Sequence, residues 1–253
     1  MIHLCIQNLF SPRPIVGGEG PTVSLTSFGP RVRWTFLTLE AIGCGSRLPK
    51  RIILWLSSED FQRGLPRSLS RLKKRGLEVP DCDDLGPHKK YYPYVSSADS
   101  NFDSPLVTAD DDIDYSHSWL ASLLRSHETD PEAVICHRGR VVMLSANGLE
   151  PYSGWPLAEG QQPVGHLMAT GAGGVLYPGE MLHALRARGD GFRELCPRAD
   201  DIWLHQTALR SGVPVRLVHE GREEIRTFAV TQRWSLKHEN VRDHGNDAHG
   251  RAS

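Results

Sequence analysis

Three consecutive carboxylates follow a short apolar run. The run from Pro105 to Ala109 has the composition of a buried strand, and Asp110, Asp111 and Asp112 come directly after it. Ligands of open α/β sheets bind beyond the carboxyl ends of the strands, which favours a site here over a solvated acidic turn. Adjacent carboxylates repel one another unless a cation offsets their charge, and their oxygen atoms suit Mg²⁺ or Mn²⁺. The triplet therefore predicts a divalent-metal site that also receives phosphate groups.

A second acidic pair, Asp200 and Asp201, stands where a helix is expected to begin. Acidic side chains at this position cap the helix and interact favourably with its dipole, which is worth about 1 kcal/mol. A carboxylate there can also act as a general base that takes a proton from a hydroxyl group. Both interpretations stay open from the residues alone.

Two other uses of the triplet can be tested on the same residues. An EF-hand loop starting at Asp110 requires glycine where Tyr115 stands and glutamate where Ala121 stands, so it fails twice. A phosphoaspartyl hydrolase of the haloacid dehalogenase kind also has two aspartates after a strand, but threonine or valine is expected where Asp114 stands. The hydrolase stays open as an alternative.

The elements that position these acids form an alternating pattern. Strand, helix, strand, helix and strand follow one another in the first third of the chain, which predicts a parallel sheet with right-handed crossovers. The predicted strands cover residues 23–28, 51–56, 77–79, 105–109, 133–136, 140–144 and 215–218, and the predicted helices cover residues 31–42, 65–75, 116–124 and 200–210.

Size and composition fit one α/β domain. The chain has 253 residues and a formal net charge of -1, so no overall attraction to nucleic acid or to an anionic membrane is expected. Five widely spaced cysteines without a CxxC pair favour a reducing compartment. No apolar run reaches the ~20 residues that span a bilayer, and the start lacks the features of a signal peptide. We expect a cytoplasmic protein, with peripheral membrane association left open.

Taken in order, several segments resemble GT-A glycosyltransferases. The likeness is to bacterial proteins related to glycosyltransferase family 2 and, more distantly, to exostosin-like transferases. It covers most of the chain and rests chiefly on the DxD of the triplet and on the later Asp-Asp-Ile-Trp. The segments that carry it are 23–27 with Arg31, 52–56, 86–89 with Tyr92 and Pro93, 106–112 with Tyr115, 173–178, 196–204 and 240–247.

The resemblance implies a role for each group of residues. Asp201 is the expected catalytic base, with Asp200 kept as the other candidate. Asp112 and Asp110 would hold Mn²⁺ or Mg²⁺, with His219 or His238 as an additional ligand. Gly173, Gly174 and Trp203 would border the donor sugar or the acceptor. The residues expected to contact the donor nucleotide are Thr26, Ser27, Arg31, Lys89, Asp110 and Asp111.

The resemblance also implies a fold and a reaction. We expect an N-terminal extension or loop over residues 1–21, a single GT-A, Rossmann-like domain over 22–240 and a polar tail over 241–253. The implied activity (EC 2.4 class) is metal-dependent, inverting transfer of a sugar from a nucleotide sugar, expected to be a UDP-sugar, to a glycan, glycolipid or glycoprotein. A metal-dependent phosphoester hydrolase and a non-catalytic sugar-nucleotide-binding protein are the alternatives; the oligomeric state stays open.

Overall fold

The computed structural model describes residues 1–98, 102–146, 148–163, 165–218 and 225–234. Within them the chain forms the predicted α/β domain, with a mainly parallel central sheet flanked by helices. The strands are β1 (Thr22–Thr26), β2 (Arg51–Ser57), β3 (Leu77–Glu78), β4 (Asp81–Cys82), β5 (Leu106–Ala109), β6 (Ile113–Asp114), β7 (Val134–Cys136), β8 (Gly139–Val141), β9 (Leu144–Ser145), β10 (Gly148–Leu149), β11 (Leu167–Ala169), β12 (Val175–Tyr177), β13 (Val215–Leu217) and β14 (Arg226–Thr227). The α-helices are α1 (Ile2–Phe10), α2 (Phe36–Gly43), α3 (Ser58–Gln62), α4 (Arg67–Lys73), α5 (Tyr92–Ser96), α6 (Trp119–Thr129), α7 (Gly179–Arg188), α8 (Phe192–Leu195) and α9 (Asp200–Ser211), and the 3₁₀ helices are Gly29–Arg33, Gly86–Lys90, Tyr152–Gly154 and Ala229–Trp234.

The main sheet has the strand order β13-β7-β12-β5-β1-β2-β3, and β4 pairs with the end of β2. β1 is parallel to both of its neighbours, with Thr22 opposite Arg51 of β2 and Leu106 of β5. β12 is antiparallel to β5 and β7, whereas β13 is parallel to β7. The carboxyl ends of β1, β2 and β5 therefore lie along one edge of the sheet, where ligands of such folds bind.

The sheet is covered on both faces, because successive side chains of a strand point to opposite sides. In β2, Ile52 and Leu54 pack into the core cluster that also holds α2, α4 and α6 residues, while Ile53 packs into the cluster with α5, α7 and α9 residues. A strand buried on both faces has no polar side, which explains why its sequence is a nearly continuous apolar run.

The first 21 residues differ from the expected extension or loop. Residues Ile2–Phe10 form helix α1, which contacts α2 and α4. Leu4 and Ile15 are buried in the core, and the Ile15 N–H donates to the carbonyl oxygen of Arg75 at 3.0 Å. The helix carries neither an acidic or basic residue at its ends nor a capping side chain, so it has no start or stop signal that could be recognised in advance.

Several elements of the second half were not predicted, and β12 and helix α7 are the largest contributors to the main sheet and its cover among them. β12 has three residues between a glycine-rich turn and Pro178, which is too short to show a periodicity, although it lies in the middle of the main sheet. Helix α7 follows Pro178 and has glycine as its first residue, a weak helix former. The predicted strand at 140–144 is instead β8, which pairs with β11 outside the main sheet.

Candidate active site

The three carboxylates after β5 lie in three different environments. Side-chain exposure is 7% for Asp111, 11% for Asp112 and 26% for Asp110. The Asp110 N–H donates to the phenol oxygen of Tyr115 at 2.9 Å, which fixes the turn at the strand end. The triplet is therefore not a uniformly solvated turn, and each carboxylate needs its own account.

Asp111 points into the protein and is held by what we call the Arg31 cluster, formed by Ser27, Arg31, Thr35 and Asp111. The Arg31 guanidinium forms an ion pair with Asp111, and its Nε lies 3.2 Å from Asp111 Oδ2. The Ser27 hydroxyl donates to the same oxygen at 2.5 Å and accepts from the Thr35 hydroxyl at 2.9 Å. Burial raises the pKa of Asp111 and the arginine opposes it. Ser27, Arg31 and Asp111, which were predicted to contact the donor nucleotide, bind one another and join β1, α2 and the acidic turn.

On the other side of the triplet lies Lys90, which the sequence analysis passed over in favour of Lys89. Lys90 Nζ is 3.0 Å from Asp110 Oδ1 and 3.1 Å from Asp200 Oδ2. Burial alone would lower its pKa, but Asp110 and then Asp200 raise the pKa of Lys90 well above its usual value. Lys89 forms an ion pair with Asp84 instead. The register of the 3₁₀ helix Gly86–Lys90 decides which lysine faces the acids, and a pair of adjacent lysines gives no sequence signal for it.

Asp201 completes this second group, which we call the Lys90 cluster: Lys90, Asp110, Asp200 and Asp201. The Gly171 N–H donates to Asp201 Oδ1 at 3.0 Å. A Cβ atom placed on Gly171 would lie 3.1 Å from Lys90 Nζ and 3.4 Å from both Asp110 Oδ1 and Asp201 Oδ1. The two acidic motifs, which lie 90 residues apart in the sequence, thus meet at Gly171. This glycine was not among the predicted site residues.

The charges of the Lys90 cluster do not balance, because one ammonium group faces three carboxylates. Lys90 lowers the pKa of Asp200 despite the burial of that carboxylate. Shielding from bulk water and the charge of Asp200 raise the pKa of Asp201 to about 8. The pair therefore divides its roles: Asp200 stays ionised beside Lys90, and Asp201 keeps its proton until near neutral pH. Pairs of titratable groups whose pKa values are driven apart are typical of acid–base sites.

The predicted sugar-contacting glycines shape the turn that carries Gly171. Trp119 Nε1 donates to the Gly173 carbonyl oxygen at 2.6 Å, and the Trp119 ring packs on Tyr115 with centroids 4.1 Å apart. Gly174 has φ +88, and a Cβ atom there would lie 2.6 Å from the Trp119 ring. Only glycine fits this position, so the geometry gives Gly173 and Gly174 a packing role against the acidic turn.

Two other predicted site residues are engaged elsewhere. Trp203, expected at the donor sugar or the acceptor, is buried, with the Arg188 guanidinium 3.6 Å above its ring and Phe192 at its edge. It is part of the core, which corrects its predicted role. The Thr26 hydroxyl donates to the carbonyl oxygen of Trp55 at 2.9 Å and ties β1 to β2. His219, His238 and the tail 241–253 lie outside the described residues.

Asp110 and Asp112 are the two carboxylates that the sequence predicts as ligands of a divalent cation. Asp110 keeps the largest exposure of the triplet, and Asp112 Oδ2 lies 3.2 Å from Arg31 Nη2. Among the described residues there is no group of three potential metal-ligating side chains. Mg²⁺ commonly takes one or two carboxylates and completes its shell with water and substrate phosphates, so two aspartates are sufficient.

Comparisons with known proteins bear on the fold alone. No protein-family model matches the chain, and no curated protein matches its sequence. Among solved structures the chain is similar to S. aureus TarS 1-349, with a TM-score of 0.52 and 11% identity over 81% of this chain; it spans 59% of that TarS structure. It is also similar to 4-diphosphocytidyl-2C-methyl-D-erythritol synthase from Anaerococcus prevotii, with a TM-score of 0.49 and 10% identity over 93% of this chain and 99% of that one. The chain thus shares its α/β architecture with a solved protein.

Proposed function

We propose that this chain is a glycosyltransferase that moves a sugar from a nucleoside-diphosphate sugar, with a UDP-sugar as the expected donor, to a hydroxyl group of a glycan, glycolipid or glycoprotein. The observation that carries the proposal is the Lys90 cluster. It brings Asp110, at the carboxyl end of β5, within reach of a carboxylate pair whose pKa values are driven apart. A glycosyltransferase needs a base close to the sheet edge that binds the nucleotide, and this arrangement supports the proposal.

The residues divide the work as follows. The ionised fraction of Asp201, whose pKa is about 8, accepts the proton of the attacking hydroxyl, since a general base is most effective when its pKa lies near the working pH. Asp200 remains charged, paired with Lys90, and keeps the proton affinity of Asp201 high. Asp110 and Asp112 would hold Mn²⁺ or Mg²⁺, which supplies Lewis-acid stabilisation of the leaving nucleoside diphosphate. The Arg31 cluster keeps the triplet in place without itself contacting the ligand.

The test is a thermal-shift screen of nucleoside diphosphates and their sugars, with and without Mn²⁺. A ligand at a hundredfold excess over its Kd stabilises the folded protein by about 2.7 kcal/mol, which raises the Tm of a chain of this size by roughly 5–10 °C. We expect such a shift for one nucleoside diphosphate, dependent on metal and lost in Asp112→Ala. Asp83→Ala is the matched control, because Asp83 is 82% exposed and outside the site. A folded protein that no nucleotide stabilises would contradict the proposal.

One contact also favours a second candidate, a metal-dependent phosphoester hydrolase. Lys90 Nζ lies 3.0 Å from Asp110 Oδ1, and an ammonium group at that position would suit a carboxylate that attacks phosphorus. The two activities leave different traces. A hydrolase forms an acyl phosphate on Asp110, visible as added mass after rapid acid quenching and absent from Asp110→Asn. A transferase shows no added phosphate and releases a nucleoside diphosphate. A non-catalytic binding protein gives the metal-dependent thermal shift alone.

A further inference from the structure

Helix α1 has an apolar face that the rest of the described structure leaves uncovered. Its inner side holds Leu4 and Asn8, which are buried against α2 and α4. The outer side has large apolar side chains with high exposure: Ile2 77%, Ile6 52%, Leu9 54% and Phe10 78%. At 100° per residue these four fall within one stripe about 100° wide.

A surface helix normally turns mostly polar side chains to water, whereas on α1 the polar side chains that reach solvent are the exposed His3 and the partly exposed Gln7. Helix α1 contains no aspartate, glutamate, lysine or arginine over its whole length, Ile2–Phe10. Isolated exposed apolar residues are ordinary, but a contiguous stripe on a helix marks an interaction surface. The composition of α1 therefore indicates that its outer face binds an apolar surface.

A groove beside α1 is lined by basic residues, which indicates that whatever binds this face is negatively charged. It encloses about 490 Å³ and has a mainly apolar floor that includes Leu9, Trp34 and Phe36. Three arginines line it and no acid does: the cations are Arg33, Arg67 and Arg71. Arg71 is used by the fold, since its Nε donates to the Asn8 carbonyl oxygen at 2.9 Å. Arg33 and Arg67 are exposed, and neither is engaged by a carboxylate in the described part of the chain.

Residues 1–75, which include α1 and the groove, carry an excess of positive charge. Residues 1–75 contain twelve Lys and Arg against four Asp and Glu, although the whole chain has 29 and 30. The net charge of -1 thus hides an excess of basic residues over positions 1–75. Electrostatic interactions at a surface fall off within a Debye length of about 8 Å at physiological salt, so the local charge decides what this face attracts.

We propose that the α1 face docks on the surface of an anionic phospholipid membrane. The stripe Ile2, Ile6, Leu9 and Phe10 enters the boundary between headgroups and acyl chains, and Arg33 and Arg67 pair with lipid phosphates. Short helices with an apolar face and flanking basic residues bind membranes in this way. None of the helices in the described ranges has the length and apolar character for crossing a bilayer, and docking of this kind needs no crossing.

The docking face adjoins the candidate active site through one short element. Arg33 lines the groove, while Arg31 in the same 3₁₀ helix, Gly29–Arg33, forms the ion pair with Asp111. Docking would hold the carboxyl edge of the sheet close to the lipid headgroups. The membrane proposal itself does not depend on the proposed transferase activity, and its test uses no nucleotide.

The test is flotation of the full chain with vesicles of phosphatidylcholine alone or mixed with phosphatidylglycerol. We expect binding to the mixed vesicles that weakens as salt is raised. Ile6→Ser/Phe10→Ser should bind at least about tenfold more weakly, because two apolar side chains no longer enter the bilayer. Arg33→Gln/Arg67→Gln should lose about fivefold per arginine at low salt. All four positions are exposed, so the variants should keep the wild-type circular dichroism spectrum and Tm.

Matched controls lie on α9, at the other end of the chain. Leu209→Ser removes a leucine that is 49% exposed, and Arg210→Gln removes an exposed arginine next to it; both should float like wild type. Equal binding to both kinds of vesicle, or no binding by the folded wild type, would overturn the proposal. A wild-type dimer in sedimentation that Ile6→Ser/Phe10→Ser converts to a monomer, without vesicle binding, would instead assign the stripe to a second copy of this chain.

Discussion

The Arg31 cluster and the Lys90 cluster lie on either side of the same acidic triplet, yet they differ in charge balance. In the Arg31 cluster, the guanidinium and the Ser27 hydroxyl bind Asp111, which is 7% exposed, and the same guanidinium lies 3.2 Å from Asp112 Oδ2. In the Lys90 cluster, one ammonium group faces the three carboxylates of Asp110, Asp200 and Asp201. Asp111 thus has a cation and a hydroxyl donor bound directly to it, whereas the Lys90 cluster retains a proton that reduces its excess negative charge.

This difference separates a structural set from a chemical one. A fully paired buried network rigidifies its surroundings and offers nothing to a ligand. A set with surplus carboxylates attracts a cation, holds a proton or does both, and strongly perturbed pKa values cluster at functional sites for that reason. Substitutions confined to one cluster at a time therefore separate a loss of activity from a loss of stability.

The largest effect is expected from Asp201→Asn on turnover. The amide cannot take the proton of the acceptor hydroxyl, and removal of a general base costs about 10²–10⁴-fold in rate. Release of nucleoside diphosphate from the donor found in the thermal-shift screen measures it. Affinity for the nucleotide should stay within about twofold of wild type. A variant that keeps full turnover would show that Asp201 is not the base and would leave Asp200 as the candidate.

The next largest effect is expected from Arg31→Met on stability. Removing one partner of a buried ion pair leaves Asp111 uncompensated and costs about 3–5 kcal/mol, or roughly 10 °C in Tm for this size of chain. Arg51→Met is the control, since the Arg51–Glu78 pair is exposed and its loss is worth about 0–1 kcal/mol. Thermal unfolding of the two variants measures the difference. Equal Tm values would mean that the Arg31 cluster does not hold the fold together.

A smaller effect is expected from Asp201→Asn on the pH dependence of stability. The folded pKa of Asp201, about 8, lies above its value in the unfolded chain, so folding favours the protonated form. Its contribution is fully present below about pH 4 and is lost as the pH rises through 8. The asparagine variant should therefore match wild type at pH 4 and be clearly more stable than wild type at pH 8.5. Urea unfolding at the two pH values measures it; a variant that is less stable at pH 8.5 contradicts the assignment.

The smallest effect is expected from Gly171→Ala. The added methyl group would lie 3.1 Å from Lys90 Nζ, the end of a flexible side chain that can move by a few tenths of an ångström. Stability should therefore change by less than about 1 kcal/mol, while the displaced ammonium group lowers turnover about tenfold. Gly154→Ala, where a Cβ meets nothing within 4 Å, is the matched control for both measurements. A parallel loss in the two variants would remove Gly171 from the site.

Features that have their own sequence pattern could be predicted, whereas features that depend on contacts between distant segments could not. The strand before Asp110 and the helix that begins at Asp200 were predicted because each has its own apolar pattern and polar boundary. Lys90, Gly171 and β12 were missed because a helical register and a three-residue strand acquire their meaning only in the assembled sheet. Trp203 was misplaced because buried and sugar-contacting tryptophans have the same sequence signal. Helix α1 was missed because it lacks a capping side chain and charged residues that would mark its ends.

The most direct test of the central claim is an NMR titration of aspartate carboxyl groups labelled with ¹³C. In folded wild type we predict one carboxyl resonance with a midpoint near pH 8, absent from Asp201→Asn and still present in Asp112→Ala. That result would show that the pKa of Asp201 lies near the working pH, which is what an efficient general base requires. If every aspartate carboxyl of the folded wild type has finished titrating below about pH 6, Asp201 is an ordinary helix-cap carboxylate and the proposed base is contradicted.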